Sequence, residues 1–167
     1  LKARFRIERL SADHDRAAFQ CGVQPLDRYF REQVTQDIRR RVTTCFVALE
    51  QGSENLAGYY TLASSSASLS DLPPETSKRL PRYPLVPAVR MGRLAVARAY
   101  AGQGLGSALL ADALRRALTA EIAAYALIVD AKDEAAAAFY RHHGFIAFAG
   151  RPRMLFLPLD TARHLLP

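Results

Sequence analysis

The sequence predicts an α/β fold in which helices flank a central sheet of about six to seven strands. Two observations predict it. Apolar residues alternate singly in some stretches and recur at helical spacing in others, in the order βαββ, then β, a glycine loop, α, β, α and two strands. The chain has 167 residues, enough to bury a core without disulfide or metal staples and short enough for one domain over 1–167.

Phe5 and Ile7 alternate with Arg4, Arg6 and Glu8, the pattern of a strand with one buried face. Pro25 suits a first helical turn, and Leu26, Tyr29, Phe30 and Val34 follow at helical spacing. Arg39, Arg40 and Arg41 close that helix. Basic residues there complement the helix dipole, and contact with RNA is the alternative reading. Thr43 to Leu49 is β-branched and aromatic, Gln51-Gly52-Ser53 supplies a turn, and Ala57 to Ala63 is the return strand of an antiparallel hairpin. From Ser64 to Pro87 the pattern dissolves into Ser, Pro and charge, allowing at most a short helix around Glu75 to Leu80. This segment is either a plain connection or a shaped substrate loop.

Val89 to Val96 is a strand that feeds the cluster Gly102-Gln103-Gly104-Leu105-Gly106. Leu105, Leu109, Ala113, Leu114 and Leu118 then mark the core stripe of a helix. Ala126 to Val129 is a short apolar run, typical of a central strand buried on both faces. Glu134 to His142 is a helix with Gly144 as its C-terminal cap. Phe145 to Phe148 and Met154 to Leu159 are the last two strands.

Composition narrows the function classes. The chain is 50% hydrophobic and 23% charged, ordinary for a soluble globular protein. No apolar run approaches the roughly 20 residues needed to span a bilayer. Leu1-Lys2-Ala3-Arg4 opens with charge rather than a signal segment, and the absence of an initiator Met reads as a processed or trimmed start. Cys21 and Cys45 have no metal-type spacing and read as reduced thiols in a cytoplasmic protein without a bound metal. The net charge of +7 points to a polyanionic partner: RNA, a nucleotide cofactor or an acidic protein.

The glycine cluster carries the most chemistry. It follows a strand and opens a helix, so its amides face outward at the positive end of the helix dipole, where several backbone donors can hold a phosphate. Glycine lets a diphosphate approach closely and tolerates positive φ. Ser107 offers a hydroxyl donor. The spacing G-x-G-x-G differs from the dinucleotide fingerprint, and no Gly-Lys-Ser/Thr follows, which excludes a nucleotide-hydrolysing P-loop. A purely structural glycine turn remains the alternative.

Leu94-Ala95-Val96, the loop, Tyr140 and Gly144-Phe145 together resemble the core signature of GNAT acetyltransferases. The resemblance implies the GNAT fold, a mixed sheet whose splayed strand pair forms an acetyl-CoA cleft. It also implies a donor pantetheine paired with Leu94-Ala95-Val96 and a pyrophosphate on Gly102 to Ser107. Ala101 stands where the family usually has Gln or Arg, which removes a side-chain contact and leaves the backbone cradle.

A narrower likeness runs along the chain through His14-Asp15, Phe19-Gln20-Cys21-Gly22, Leu26-Asp27, Gly58-Tyr59-Tyr60-Thr61-Leu62, Leu80-Pro81-Arg82-Tyr83-Pro84, Gly92-Arg93-Leu94-Ala95-Val96, Asp130-Ala131-Lys132 and Phe139-Tyr140. This series is similar to the GNAT toxins of type II toxin–antitoxin modules. It implies acetylation of the α-amine of aminoacyl-tRNA, a ribbon-helix-helix antitoxin as partner, and a homodimer. The rival readings are a GNAT acting on a small amine or protein N-terminus, and a non-catalytic basic RNA- or protein-binding domain.

Within the resemblance, Tyr140 is the proton donor to the leaving thiolate, because a phenol of pKa about 10 is protonated at neutral pH. Its alternative is a core or rim aromatic beside Phe139. An α-amine of pKa about 8 is partly neutral already, so no general base is required or assigned. Backbone amides near Val96 polarise the carbonyl. Arg90 and Arg93 flank the cleft strand and contact tRNA phosphate or the CCA end; bracing of the sheet edge is the alternative reading. His142 and His143 read as exposed or dipole-facing, His14 and Asp15 as turn-forming, and Cys21 as packing.

Overall fold

In the computed structural model, which describes residues 4–166, seven strands form a mixed sheet in the order β1-β2-β3-β4-β5-β7-β6. The strands are β1 (Phe5–Arg9), β2 (Thr44–Glu50), β3 (Leu56–Ser68), β4 (Leu85–Val96), β5 (Ala126–Asp130), β6 (Ile146–Phe148) and β7 (Arg151–Pro158). β1–β2, β2–β3, β5–β7 and β6–β7 pair antiparallel, and β4–β5 pair parallel. The helices are α1 (Gln24–Arg28), α2 (Val34–Arg39), α3 (Pro74–Ser77), α4 (Leu105–Thr119), α5 (Glu134–His142) and α6 (Leu159–Arg163). Among the described residues no helix is long and apolar enough to cross a membrane. Leu1, Lys2 and Ala3, read from sequence as a charged start, lie outside the described residues.

The chain groups into two compact units, one holding the chain up to Ala63 with Gly92–Ala113, the other Ser64–Met91 with the chain from Leu114 onward. The first is organised by an aromatic cluster. Phe30 stacks on Tyr59 at 4.2 Å and meets Phe19 edge-on at 4.8 Å, with Tyr29, Val34, Val47 and Ala95 packed around them. The second packs Val86, Ala88, Ala126, Ile128 and Phe156 with Phe148. All four residues of Ala126–Val129 are buried, as expected of a strand covered on both faces.

Three elements depart from the sequence reading. β3 runs five residues past Ala63, through Ser64–Ser68, and β4 begins at Leu85 rather than Val89. The cause is an alternation that serine and proline hide: Ala67, Val86 and Ala88 point inward while Ser64, Ser66, Leu85 and Pro87 are exposed. Pro87 has no N–H to give, and its carbonyl accepts from Tyr125 N–H at 2.8 Å. Between these strands the expected short helix forms slightly early, as α3. Finally, α1 and α2 are joined by a π turn, Tyr29–Gln33, in which Val34 N–H bonds to Tyr29 C=O.

Candidate active site

β4 ends in Leu94-Ala95-Val96 and is held to β3 beyond its end, where Ala97 N–H donates to Ala57 C=O at 2.8 Å. Gly58 permits the close packing of this corner. A Cβ there would meet the Ala95 carbonyl oxygen at 2.8 Å and Leu109 Cδ1 at 2.9 Å. After β4, a single 3-10 turn over Arg98–Tyr100 delivers the chain to the glycine loop. The turn is latched from below. Arg98 N–H donates to Gln20 C=O at 2.8 Å, and the Arg98 guanidinium lies against Gly22, where a Cβ would sit 2.8 Å from Nε. The Gln20-Cys21-Gly22 tag therefore supports the loop's entry, a role its sequence alone did not disclose.

In the loop, Gly102 (φ 73°) and Gly104 (φ 81°) both adopt the left-handed conformation that disfavours side chains. A Cβ at either would meet no atom within 4 Å, so both positions face open space. Gln103 is exposed, whereas Leu105 is buried and anchors the start of α4 in the core. Ala108 N–H donates to Gly104 C=O at 3.1 Å as the 15-residue α4 opens, and the N-terminal end of such a helix directs backbone N–H groups outward. Gly106 and Ser107 form the first turn. These are the features an anion cradle requires.

Also in the first unit, the Arg93 guanidinium lies 3.4 Å from the centroid of the Tyr29 ring. Tyr29 is fixed in turn, its hydroxyl donating to Asp37 Oδ2 at 2.8 Å. Arg39 and Arg40 are exposed at the end of α2, and Arg41 beyond them has φ 61°. His14 and Asp15 form a turn: Ser11 N–H donates to His14 Nδ1 at 2.9 Å and Ala17 N–H to Asp15 Oδ1 at 3.0 Å. Burial and Asp27 push the Cys21 thiol up to about 11, and burial pushes Cys45 to about 12, so neither is a thiolate at neutral pH.

The second unit holds Tyr140 and Arg90. α5 is capped at both ends. Asp133 accepts from Ala136 N–H at 2.8 Å, and Gly144 (φ 92°) closes a Schellman motif with bonds Phe145 N–H to Tyr140 C=O and Gly144 N–H to Arg141 C=O. Tyr140 is thus the residue whose carbonyl ties down the helix end. Tyr140 is 7% exposed, its ring lies against Phe139 and Phe145, and burial raises its pKa above the ordinary phenol value. The hydroxyl has no hydrogen-bond partner among the described residues, and it is not sealed from solvent. His142 and His143 sit edge to face at the helix end, where burial and His142 lower the pKa of His143.

Arg90 pairs with Asp130 between β4 and β5, and the register of that parallel pair runs from Ala88 opposite Ala126 to Met91 opposite Val129. Arg151 and Arg153, two apart on β7, share with Arg90 the wall of an open groove of about 530 Å³. Their i, i+2 spacing on a strand was a readable sign of a shared face. Among the described residues no three His, Cys, Asp or Glu side chains gather as metal ligands would.

The profile of the Acetyltransferase (GNAT) family matches residues 8–145. The chain belongs to the GNAT acetyltransferase family. This GNAT chain is 35% identical over 160 residues to the tRNA-acetylating toxin of Mycobacterium tuberculosis (strain ATCC 25618 / H37Rv), covering 95% of this chain and 94% of that protein. It is also similar to the solved structure of AtaT complexed with acetyl-methionyl-tRNAfMet, with a TM-score of 0.88, 31% identity and coverage of 96% and 98%. A third likeness is to a mutant AtaT toxin bound to the C-terminus of the antitoxin AtaR and acetyl-CoA, with a TM-score of 0.81, 26% identity and 98% of both chains covered.

Proposed function

We propose that this GNAT enzyme transfers an acetyl group from acetyl-CoA to the free α-amine of aminoacyl-tRNA, blocking translation as the toxin of a toxin–antitoxin pair. The observation that carries the donor half is the open glycine loop, whose left-handed Gly102 and Gly104 leave space where side chains would stand. Likeness to a tRNA-acetylating toxin and to AtaT with acetyl-methionyl-tRNAfMet supports the acceptor half. A ribbon-helix-helix antitoxin, a homodimer and the cytoplasm complete the proposal.

Acetyl-CoA supplies an activated acetyl thioester. The backbone amides from Gly102 to Gly106, with the Ser107 hydroxyl, hold its pyrophosphate, and Leu94-Ala95-Val96 offers main-chain groups to the pantetheine. Amides near Val96 polarise the carbonyl. Tyr140 keeps its proton on Oη at neutral pH because burial disfavours the phenolate, and it gives that proton to the departing sulfur. The α-amine of an aminoacyl ester, with a reference pKa of about 8, is sufficiently neutral to attack without a dedicated base; as the C–N bond forms and the C–S bond breaks, the nitrogen sheds its extra proton to water, and Tyr140 regains its own from solvent. Arg90, Arg93, Arg39 and Arg40 supply positive charge for the RNA backbone.

Incubation with labelled acetyl-CoA and total charged tRNA tests this directly. Label is expected in the aminoacyl moiety; label confined to protein or small amines overturns it. Expression is expected to arrest growth, with relief by the antitoxin.

A further inference from the structure

Two residues of the first unit, Thr61 on β3 and Gly92 on β4, meet in a way that neither packing nor backbone geometry explains. Thr61 is 1% exposed, yet its hydroxyl has no hydrogen-bond partner among the described residues. The half-buried threonines nearby behave differently, for the Thr43 and Thr44 hydroxyls both donate to Leu62 C=O at 3.1 Å. A buried hydroxyl without a partner gives up its hydration and gains no bond in return, so such groups are rare unless a ligand completes them. Among the described residues no unpartnered side-chain oxygen is sealed from solvent, so the trace of surface that Thr61 keeps includes its hydroxyl.

Gly92 supplies the opening. It is exposed although it lies inside a 12-residue strand, and the parallel ladder of β4 with β5 ends one residue before it, at Met91 opposite Val129. A Cβ on Gly92 would stand 3.2 Å from Thr61 Oγ1. Its φ is not left-handed, so the backbone itself does not require glycine there. What the missing side chain provides is room above the Thr61 hydroxyl. A glycine inside a strand often marks the place where a ligand approaches closely.

With the pyrophosphate on Gly102 to Ser107 and the pantetheine along Leu94-Ala95-Val96, the acyl end of the donor runs back along β4 toward Gly92. We propose that Thr61 Oγ1 accepts an N–H of the attacking amine over the bare Cα of Gly92, and so aims the nitrogen lone pair at the thioester carbon. This assignment rests on the reading of acetyl-CoA as donor and an amine as acceptor. The thioester oxygen already has backbone amides near Val96 as donors, which leaves the hydroxyl for the other reactant. A neutral primary amine carries one lone pair and two N–H groups, so one N–H can be held while the lone pair attacks. Thr61 orients the amine and takes no proton from it. The extra proton on nitrogen still leaves to water as the C–N bond forms and the C–S bond breaks.

Thr61→Val keeps the shape and the β-branch and removes only the oxygen. Its kcat/KM for charged tRNA is expected to fall about tenfold, the upper end for one uncharged hydrogen bond. Its Kd for acetyl-CoA, measured by calorimetry, is expected to stay within about twofold of wild type. Its thermal midpoint is expected to equal or exceed that of wild type, because no hydrogen bond within the protein is lost. Thr61→Ser, which retains the hydroxyl, is expected to keep most of the wild-type rate. Gly92→Ala, whose methyl would press on Thr61 Oγ1, is expected to lose at least as much as Thr61→Val, and it keeps the test valid if the valine variant folds poorly. An unchanged kcat/KM in Thr61→Val, or a loss that comes with weaker acetyl-CoA binding or a lower midpoint, would overturn the assignment. Wild-type enzyme that acetylates no charged tRNA overturns the acceptor reading instead, a result that involves no substitution. The same variants are then compared on the protein or small amine that takes the label, with the same expected outcomes.

Discussion

Replacing Tyr140 by Phe removes one oxygen and leaves the ring. The ring contacts at 5.3 Å to Phe139 and 5.4 Å to Phe145 persist, and no protein hydrogen bond is lost among the described residues. Folding stability is therefore expected to change by no more than about 0.5 kcal/mol, the range of substitutions that disturb no packing or bonding. Catalysis is expected to respond very differently. Loss of a positioned general acid costs about 10²- to 10⁴-fold in rate, equivalent to roughly 3–5 kcal/mol of transition-state stabilisation. The loss belongs in kcat, since the hydroxyl is asked to act on the leaving group rather than on binding. Steady-state acetylation of charged tRNA, paired with a thermal melt of both proteins, separates the two effects. The pH profile adds a sign. Burial raises the Tyr140 pKa, so the protonated, active form persists above the ordinary phenol value, and no alkaline loss from this group is expected near pH 9. A Phe variant with kcat within about threefold of wild type would refute the proton-donor assignment.

Gly104→Ala places a side chain at φ 81° with no neighbour to clash with, so the expected cost to folding is the left-handed penalty of about 1–2 kcal/mol. Its KM for acetyl-CoA is expected to rise several-fold, and an unchanged KM would remove this turn from the donor site. Gly58→Ala pushes a methyl against the Ala95 carbonyl and Leu109, and chemical denaturation is expected to show a loss of about 1–3 kcal/mol. Cys21, with its thiol pushed up to about 11, is expected to label slowly in the native protein at pH 8, where only about one molecule in a thousand is thiolate. Labelling should accelerate as pH rises toward 11 or on unfolding, and rapid native labelling at neutral pH would contradict the burial argument.

The elements that were legible in the sequence are those whose local pattern and tertiary setting agree. Ala126–Val129 is apolar because both faces are covered, and Glu134–His142 is bounded by an Asp cap and a Gly cap that leave distinct marks. The glycine loop was legible for the same reason, since the left-handed turns at Gly102 and Gly104 demand that residue. What escaped was set by neighbours distant in sequence. The small side chains of Ser64–Ser68 carry little intrinsic strand signal, yet the ladder recruits them. The π turn keeps the apolar spacing of a helix and so leaves no periodicity signature. The pairing of Arg93 with Tyr29, and of Arg90 with Asp130, links residues 64 and 40 positions apart and could be seen only in three dimensions.

The glycine loop has one more consequence, for resistance to inhibition. Side-chain contacts can be erased by a single codon change, whereas a backbone N–H is removed only by proline, whose ring the left-handed turns at Gly102 and Gly104 cannot accept. A compound that occupies these amides would therefore meet few escape routes. If the loop holds the acetyl donor as proposed, any substitution that dislodged such a compound by refilling the open space would also impair donor binding.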